Sequence, residues 1–259
     1  MEISLQEVTS FKYSLPTPEQ QAQARKDLQS SGIAIIENFF SQDFTRDLSL
    51  ACQSKAAQAF FKAVENNVYL GPADHNVPID HILNHMEPSR VGVLAYDQVN
   101  DLKELCQVYH DQDFQNIIAS VLGIEKLYEY ECPLGAINLT VMGAGDKLGW
   151  HFDLSDFVVS VPLQAANYGG DYEYCRNLRT SEDNNFEGVS KVIRGDRSQV
   201  EILEAAPGSL VIFEGRYTMH RVTEVQGPKL RLGVLFGFAS EPGVTSSEYL
   251  RLARYGRTN

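Results

Sequence analysis

Two short segments, Trp150-His151-Phe152-Asp153 and Met219-His220-Arg221-Val222, carry the residue types in this chain best suited to metal chemistry. Both lie in β-favourable runs. In a strand, residues two apart share a face, so His151 and Asp153 can reach one ion while Phe152 turns away. His220 falls in a second run, Thr218 to Val225, which must fold beside the first to complete the set. Two imidazoles and one carboxylate on a single face leave the other positions of an ion open, an arrangement that suits non-haem Fe(II) and oxygen chemistry. A structural zinc site would be closed by a fourth ligand, and none is evident nearby in the sequence. His-x-Asp alone is a common chance match. The distal His, the β-rich context and a following cation give it weight here.

That cation is Arg231, eleven residues past His220, within Leu230-Arg231-Leu232-Gly233-Val234-Leu235. A guanidinium on an otherwise apolar strand needs an anion, and its planar fork matches a carboxylate. Two partners satisfy this: a carboxylate of the protein, or the far carboxylate of a dicarboxylic co-substrate.

The elements that must position these residues change character near Gly135. Before it the chain reads as mainly helical. Thr17-Pro18-Glu19-Gln20 has the signature of a capped helix start and Gly32 of a stop. Ile33 to Ile36 reads as a short strand, and Ser41 as the cap of a helix running toward Val64. Asn67 to Pro88 is rich in turn formers, with room for one short helix. Further helices are predicted over Asn100–Val108 and Asp113–Leu122. From Gly135 onward, short β-favourable runs recur between Gly, Pro, Asn and Asp: Ile137–Met142, His151–Leu163, Asp171–Tyr174, Val200–Leu203, Leu210–Phe213, His220–Val225 and Leu230–Phe238. Asn184 to Arg197 is polar and reads as a mobile excursion. The pattern predicts an α+β protein, a jelly-roll core with a helical N-terminal half packed against it. One domain over 1–259 is expected, with a mainly helical part at 1–134, the core at 135–240 and an extension at 241–259.

Composition narrows the function classes. A length of 259 residues, 43% hydrophobic, is enough for one substantial core. The net charge of −12, with basic residues scattered, opposes binding to nucleic-acid phosphates. No apolar run is long enough to span a membrane and the first residues lack signal-peptide order, so a cytoplasmic protein without membrane attachment is expected. Four separated cysteines, with no C-x-x-C pair, point to reduced thiols.

The stretch from Asn138 to Phe238 resembles the Fe(II)/2-oxoglutarate-dependent dioxygenase superfamily. The resemblance rests on Asn-Leu-Thr-Val-Met-Gly-Ala-Gly-Asp-Lys-Leu-Gly-Trp-His-Phe-Asp ending at Asp153, on Pro-Gly-Ser-Leu-Val-Ile-Phe-Glu-Gly-Arg ending at Arg216, and on His220-Arg-Val-Thr-Glu-Val with Arg231. It implies a double-stranded β-helix, with iron on His151, Asp153 and His220, and 2-oxoglutarate held at its far end by Arg231. O₂ would be the co-substrate, with succinate and CO₂ released. More narrowly, Val91-Gly-Val-Leu-Ala-Tyr-Asp97, the Trp-His-Phe-Asp element and Gly169-Gly-Asp-Tyr-Glu-Tyr174 are similar to the branch of free-amino-acid hydroxylases related to free-lysine radical halogenases. Halogenases of that branch carry Gly or Ala in place of the metal carboxylate, which frees a position for chloride. Asp153 fills it here, so the resemblance implies hydroxylation of a small molecule, a free amino acid or derivative. Desaturation, cyclisation or a protein-bound substrate are alternatives with the same iron chemistry, and a jelly-roll metal sensor is the non-enzyme alternative.

Other candidates are less constrained. Asn138 and Thr140 lie on a strand expected to flank the iron, where they would touch 2-oxoglutarate or simply bond within the core. Arg90 is the candidate for a substrate carboxylate, and Glu129 or Glu131 for an ammonium. Surface pairing accounts for each of these three equally well. Trp150 is either a pocket wall or a core anchor. Strand alternation turns Arg221 away from the iron, toward a structural pairing. His81 and His85 share the spacing of a helical metal motif but lack its glutamate.

Overall fold

The computed structural model describes residues 12–259. The first described helix, α1 (Pro18–Ser31), starts as its residue types dictate. Thr17 accepts from the Gln20 amide, the Gln20 side chain returns a bond to the Thr17 amide, and Gly32 ends the helix at φ 73°. Strand β1 (Ile33–Ile36) follows, then helix α2 (Gln42–Lys55), capped by Ser41. The helix expected to run toward Val64 stops at Lys55, and Phe60–Asn66 is strand β2. Its alternating apolar residues have a neighbour strand to pair with, and that tertiary partner overrides helical spacing. The neighbour is β3 (Glu87–Leu94), so the N-terminal half contributes three strands to the larger sheet as well as helices. Helices α3 (Tyr96–Val99), α4 (Lys103–Tyr109) and α5 (Gln112–Leu122) come next, with Gly123 closing α5 in the left-handed conformation.

The remaining strands are β4 (Tyr128–Glu129), β5 (Ile137–Met142), β6 (Leu148–His151), β7 (Val158–Gln164), β8 (Tyr168–Gly169) and β9 (Tyr172–Cys175). After helix α6 (Phe186–Ile193) come β10 (Glu201–Ile202), β11 (Leu210–Phe213), β12 (Met219–Val222), β13 (Val225–Gln226), β14 (Arg231–Phe236) and β15 (Phe238–Ala239), and helix α7 (Glu248–Tyr255) ends the fold. The predicted runs His220–Val225 and Leu230–Phe238 each divide into two strands, and two other features change as well. The run His151–Leu163 is two strands, because Asp153, Ser155 and Asp156 break the ladder between them. The segment read as a mobile excursion contains α6, capped by Asn185 and anchored by buried Val189 and Val192.

Seven strands form the larger antiparallel sheet in the order β1-β11-β7-β14-β5-β3-β2, and four form the smaller one in the order β10-β9-β12-β6. Period-two alternation then sorts the side chains. On β14, Leu232, Val234 and Phe236 pack into the main core, together with Ile137, Leu139 and Val141 of β5 and the buried faces of α1, α2, α4 and α5. Arg231, Gly233 and Leu235 lie on the opposite face, directly across from Met142, Thr140 and Asn138. Residues of the two sheets meet in shared clusters, Phe213 with Tyr174 at one side and Met142 with Val222 at another. The sheets therefore face each other as the two halves of a jelly roll, with the helices backing the larger one.

Candidate metal centre

Strands β12 and β6 are antiparallel neighbours, with His220 directly opposite His151. The imidazole centroids stand 4.1 Å apart. Asp153 lies two residues beyond the end of β6, so the strand alternation that relates it to His151 in the sequence is not what positions it. Its amide donates to the Gly215 carbonyl at 2.9 Å. Asp153 Oδ1 then lies 3.5 Å from His151 Nε2, and Oδ2 lies 3.5 Å from His220 Nε2. One candidate ligand atom from each of the three residues lies within 4.8 Å of the others.

The hydrogen bonds fix which atoms face the centre. His151 Nδ1 donates to the Gly149 carbonyl and His220 Nδ1 to the Thr218 carbonyl, each at 2.9 Å. With the proton on Nδ1, both Nε2 lone pairs are directed at the shared space, as in imidazoles that bind metals. Burial, reinforced by His151, pushes His220 down to about 4 against the opposing pull of Asp153, so this imidazole is neutral near pH 7. Asp153 Oδ2 is buried and accepts no hydrogen bond. A buried carboxylate oxygen without a donor is costly, and a divalent cation would satisfy it. These donors fit Fe(II): two imidazole nitrogens and one carboxylate on one side.

Around the triad, Tyr172 stacks on His220 with centroids 5.3 Å apart and rings 15° from parallel, and Phe213 meets it edge-on. The Tyr172 hydroxyl is buried without a hydrogen-bond partner. Burial raises its pKa well above the ordinary tyrosine value, Asp153 adds to this, and Arg231 opposes it. Arg231 donates from Nε to the Gly170 carbonyl at 2.8 Å, and among the described residues no protein carboxylate pairs with it. Thr140 shares its face of the sheet and donates to the Gly233 carbonyl at 3.2 Å. Tyr172 escaped the sequence reading, although the alternation in Tyr172-Glu173-Tyr174 signals it: Glu173 turns outward to Arg221 and Arg197, which leaves both tyrosines facing in.

The other predicted residues are engaged elsewhere. Asn138 uses its amide on the Leu134 and Ile137 carbonyls and on the Tyr255 hydroxyl. Arg90 lies on the helix-facing side of β3, paired with Asp146 and stacked over Phe61. Glu129 bonds His110 at 2.8 Å and Gln115 at 3.0 Å, and Glu131 is exposed. Trp150 is buried on the far side of β6, among Val68, Phe152 and Met219, with the Arg221 guanidinium 4.8 Å from its ring centre. None of these five joins the group around the triad. His81 caps Leu83 and His85 pairs with Glu87, which gives both histidines structural duties. All four cysteines are free thiols.

A sequence model of the family described as Halogenase D matches residues 17–249. Among curated proteins no match is found. Several solved structures are similar in fold. A 2OG-Fe(II) oxygenase family oxidoreductase from Burkholderia pseudomallei is 11% identical, over 90% of this chain and 96% of that one, with a TM-score of 0.55. SnoK, a non-heme alpha ketoglutarate dependent carbocyclase from nogalamycin biosynthesis, is 14% identical over 92% and 91%, with a TM-score of 0.58. HygX from Streptomyces hygroscopicus, solved with nickel, 2-oxoglutarate and hygromycin B, is 13% identical over 94% and 98%, with a TM-score of 0.55. At these identities the likeness is one of fold. With the family match covering most of its length, the chain belongs to the halogenase D family, built on the fold of the 2OG-Fe(II) oxygenases.

Proposed function

We propose that the protein is an Fe(II)/2-oxoglutarate-dependent oxygenase that hydroxylates an unactivated C–H bond of a small molecule, a free amino acid or close derivative. The observation that carries this reading is the complete triad, with Asp153 3.5 Å from both imidazole Nε2 atoms. The family takes its name from halogenation, which in the related branch goes with Gly or Ala at this position. A carboxylate there occupies the place that chloride would take, and oxygen insertion is the expected outcome.

His151, Asp153 and His220 would hold Fe(II), which with 2-oxoglutarate and O₂ would supply the oxidising power, 2-oxoglutarate leaving as succinate and CO₂. The chain's own residues orient and enclose. Arg231, free of any protein carboxylate among the described residues, offers its guanidinium to the far carboxylate of 2-oxoglutarate. The orphaned Tyr172 hydroxyl, on the ring stacked against His220, is suited to donate to the same co-substrate. Phe213, packed edge-on against His220, keeps water from that side.

The test is a screen of free amino acids with the purified protein, Fe(II), 2-oxoglutarate and O₂. Succinate formation coupled to a product that gains one oxygen atom is expected, and Asp153→Ala should abolish it. A chlorinated product, or full hydroxylation by Asp153→Ala, would contradict the proposal.

A further inference from the structure

Asp153 sits in the segment between β6 and β7, where no strand ladder holds it. Its place is set instead by the residues just before β12, the strand that neighbours β6 in the same sheet. Gly215 accepts the Asp153 amide at 2.9 Å, and Arg216 bonds the Leu154 carbonyl and pairs with Asp156 at 2.7 Å. Gly215 is buried, and its backbone lies outside the left-handed region, so the chain conformation there is open to other residues. Glycine is required for a different reason. A Cβ on residue 215 would stand 1.8 Å from Asp153 Oδ2, 2.6 Å from its Cγ and 2.9 Å from its Cβ. These distances are far inside van der Waals contact. The two closest atoms struck belong to the carboxyl group, which turns about a rotatable bond, so a methyl would drive the carboxylate out of its place, and the 2.9 Å approach to Cβ asks only a further small shift of the chain.

We infer that Gly215 is a positioning residue for the third metal ligand: by lacking a side chain it lets the Asp153 carboxylate lie against residue 215, turned toward His151 and His220. The inference rests on the metal-site reading above. It assigns part of the choice between a three-residue and a two-histidine site to residue 215, outside the His-x-Asp motif. A side chain at 215 and a carboxylate at 153 are alternatives for one volume.

A double-mutant cycle tests it, with Co(II) as the probe and its affinity measured by calorimetry alongside thermal unfolding. Wild type, Gly215→Ala, Asp153→Gly and the double variant are compared. Gly215→Ala is expected to weaken Co(II) binding by roughly 10–100-fold, the range seen when the support of a metal ligand is lost. In the Asp153→Gly background the same methyl should change nothing further, since its target is gone. If Gly215→Ala lowers the unfolding temperature, Asp153→Gly should restore it. Wild-type Co(II) affinity in Gly215→Ala, or an equal effect of the methyl with and without Asp153, overturns the role of Gly215. Should Asp153→Gly itself bind Co(II) as tightly as wild type, the metal-site reading fails and the inference falls with it, an outcome distinct from the first two.

Discussion

The Tyr255 hydroxyl donates to Asn138 Oδ1 at 2.9 Å, joining residues 117 positions apart in the sequence. The bond ties the C-terminal helix to the start of β5, on the same face of the sheet as Arg231. Gly256 packs on Phe60 and Arg257 pairs with Asp97 at 2.6 Å, so the helix is held at its C-terminal end as well. Tyr255→Phe leaves Asn138 Oδ1 buried without its donor and should cost about 1–3 kcal/mol. Chemical denaturation measures this, and an unchanged midpoint would show that the helix docks without the bond.

Arg251 lies one helical turn before Tyr255 and so on the same helix face. Its Nε is buried without a hydrogen-bond partner, and among the described residues it joins no ion pair. Under the proposed reading, the carboxylate of an amino-acid substrate would supply the missing acceptor. Arg251→Ala should therefore raise KM for a carboxylate-bearing substrate by roughly 10–150-fold, from ~1.5–3 kcal/mol for a charged hydrogen bond. The 2-oxoglutarate requirement should stay near wild type. Equal effects on both would place Arg251 in general support of the fold.

Arg231→Ala should show the reverse pattern. Removing one partner of a hydrogen-bonded charge pair costs ~2–5 kcal/mol, roughly 30-fold or more in the 2-oxoglutarate requirement. Tyr172→Phe should move the same parameter by about five-fold, the effect of one neutral hydrogen bond. Steady-state titrations of 2-oxoglutarate at saturating substrate separate the two. A 2-oxoglutarate dependence unaffected by Arg231→Ala would contradict its assignment.

Glu173 makes acid stability predictable. Burial alone would raise its pKa, but Arg197 and Arg221 outweigh it and hold the carboxyl below the ordinary glutamate value. Below the unfolded value of about 4.3 the unfolded chain then binds more protons than the folded one. The stabilisation is present at neutral pH and is lost as pH falls through that value toward the folded one. Glu173→Gln should cost about 1–3 kcal/mol at pH 7 and flatten this part of the acid limb. Parallel acid limbs in the two proteins would refute the role of the pair.

Residue type and local periodicity were enough to single out His151, Asp153, His220 and Arg231, because the chemistry of each lies in its own side chain. The same signals predicted the capped start of α1 and the strands β1, β5 and β11 within their bounds. Local pattern misplaced Phe60–Asn66, whose strand exists only through pairing with β3. It left Arg90 and Glu129 open between substrate contact and surface pairing, since the partners that engage them, Asp146 and His110, lie 56 and 19 positions away.

By itself, the order of amino acids determined the candidate ligand set, the β-rich core and the family resemblance, all of which reside in contiguous segments. Tertiary structure alone decided how Asp153 reaches the two imidazoles, since its strand has already ended and Gly215 makes the space. It also decided that Asn138 serves the C-terminal helix, and that Tyr172 lies flat against His220. The physical reason is common to all three. Close packing and hydrogen bonding join atoms that are neighbours in space, and a one-dimensional pattern carries no record of which distant residue will fill a given volume.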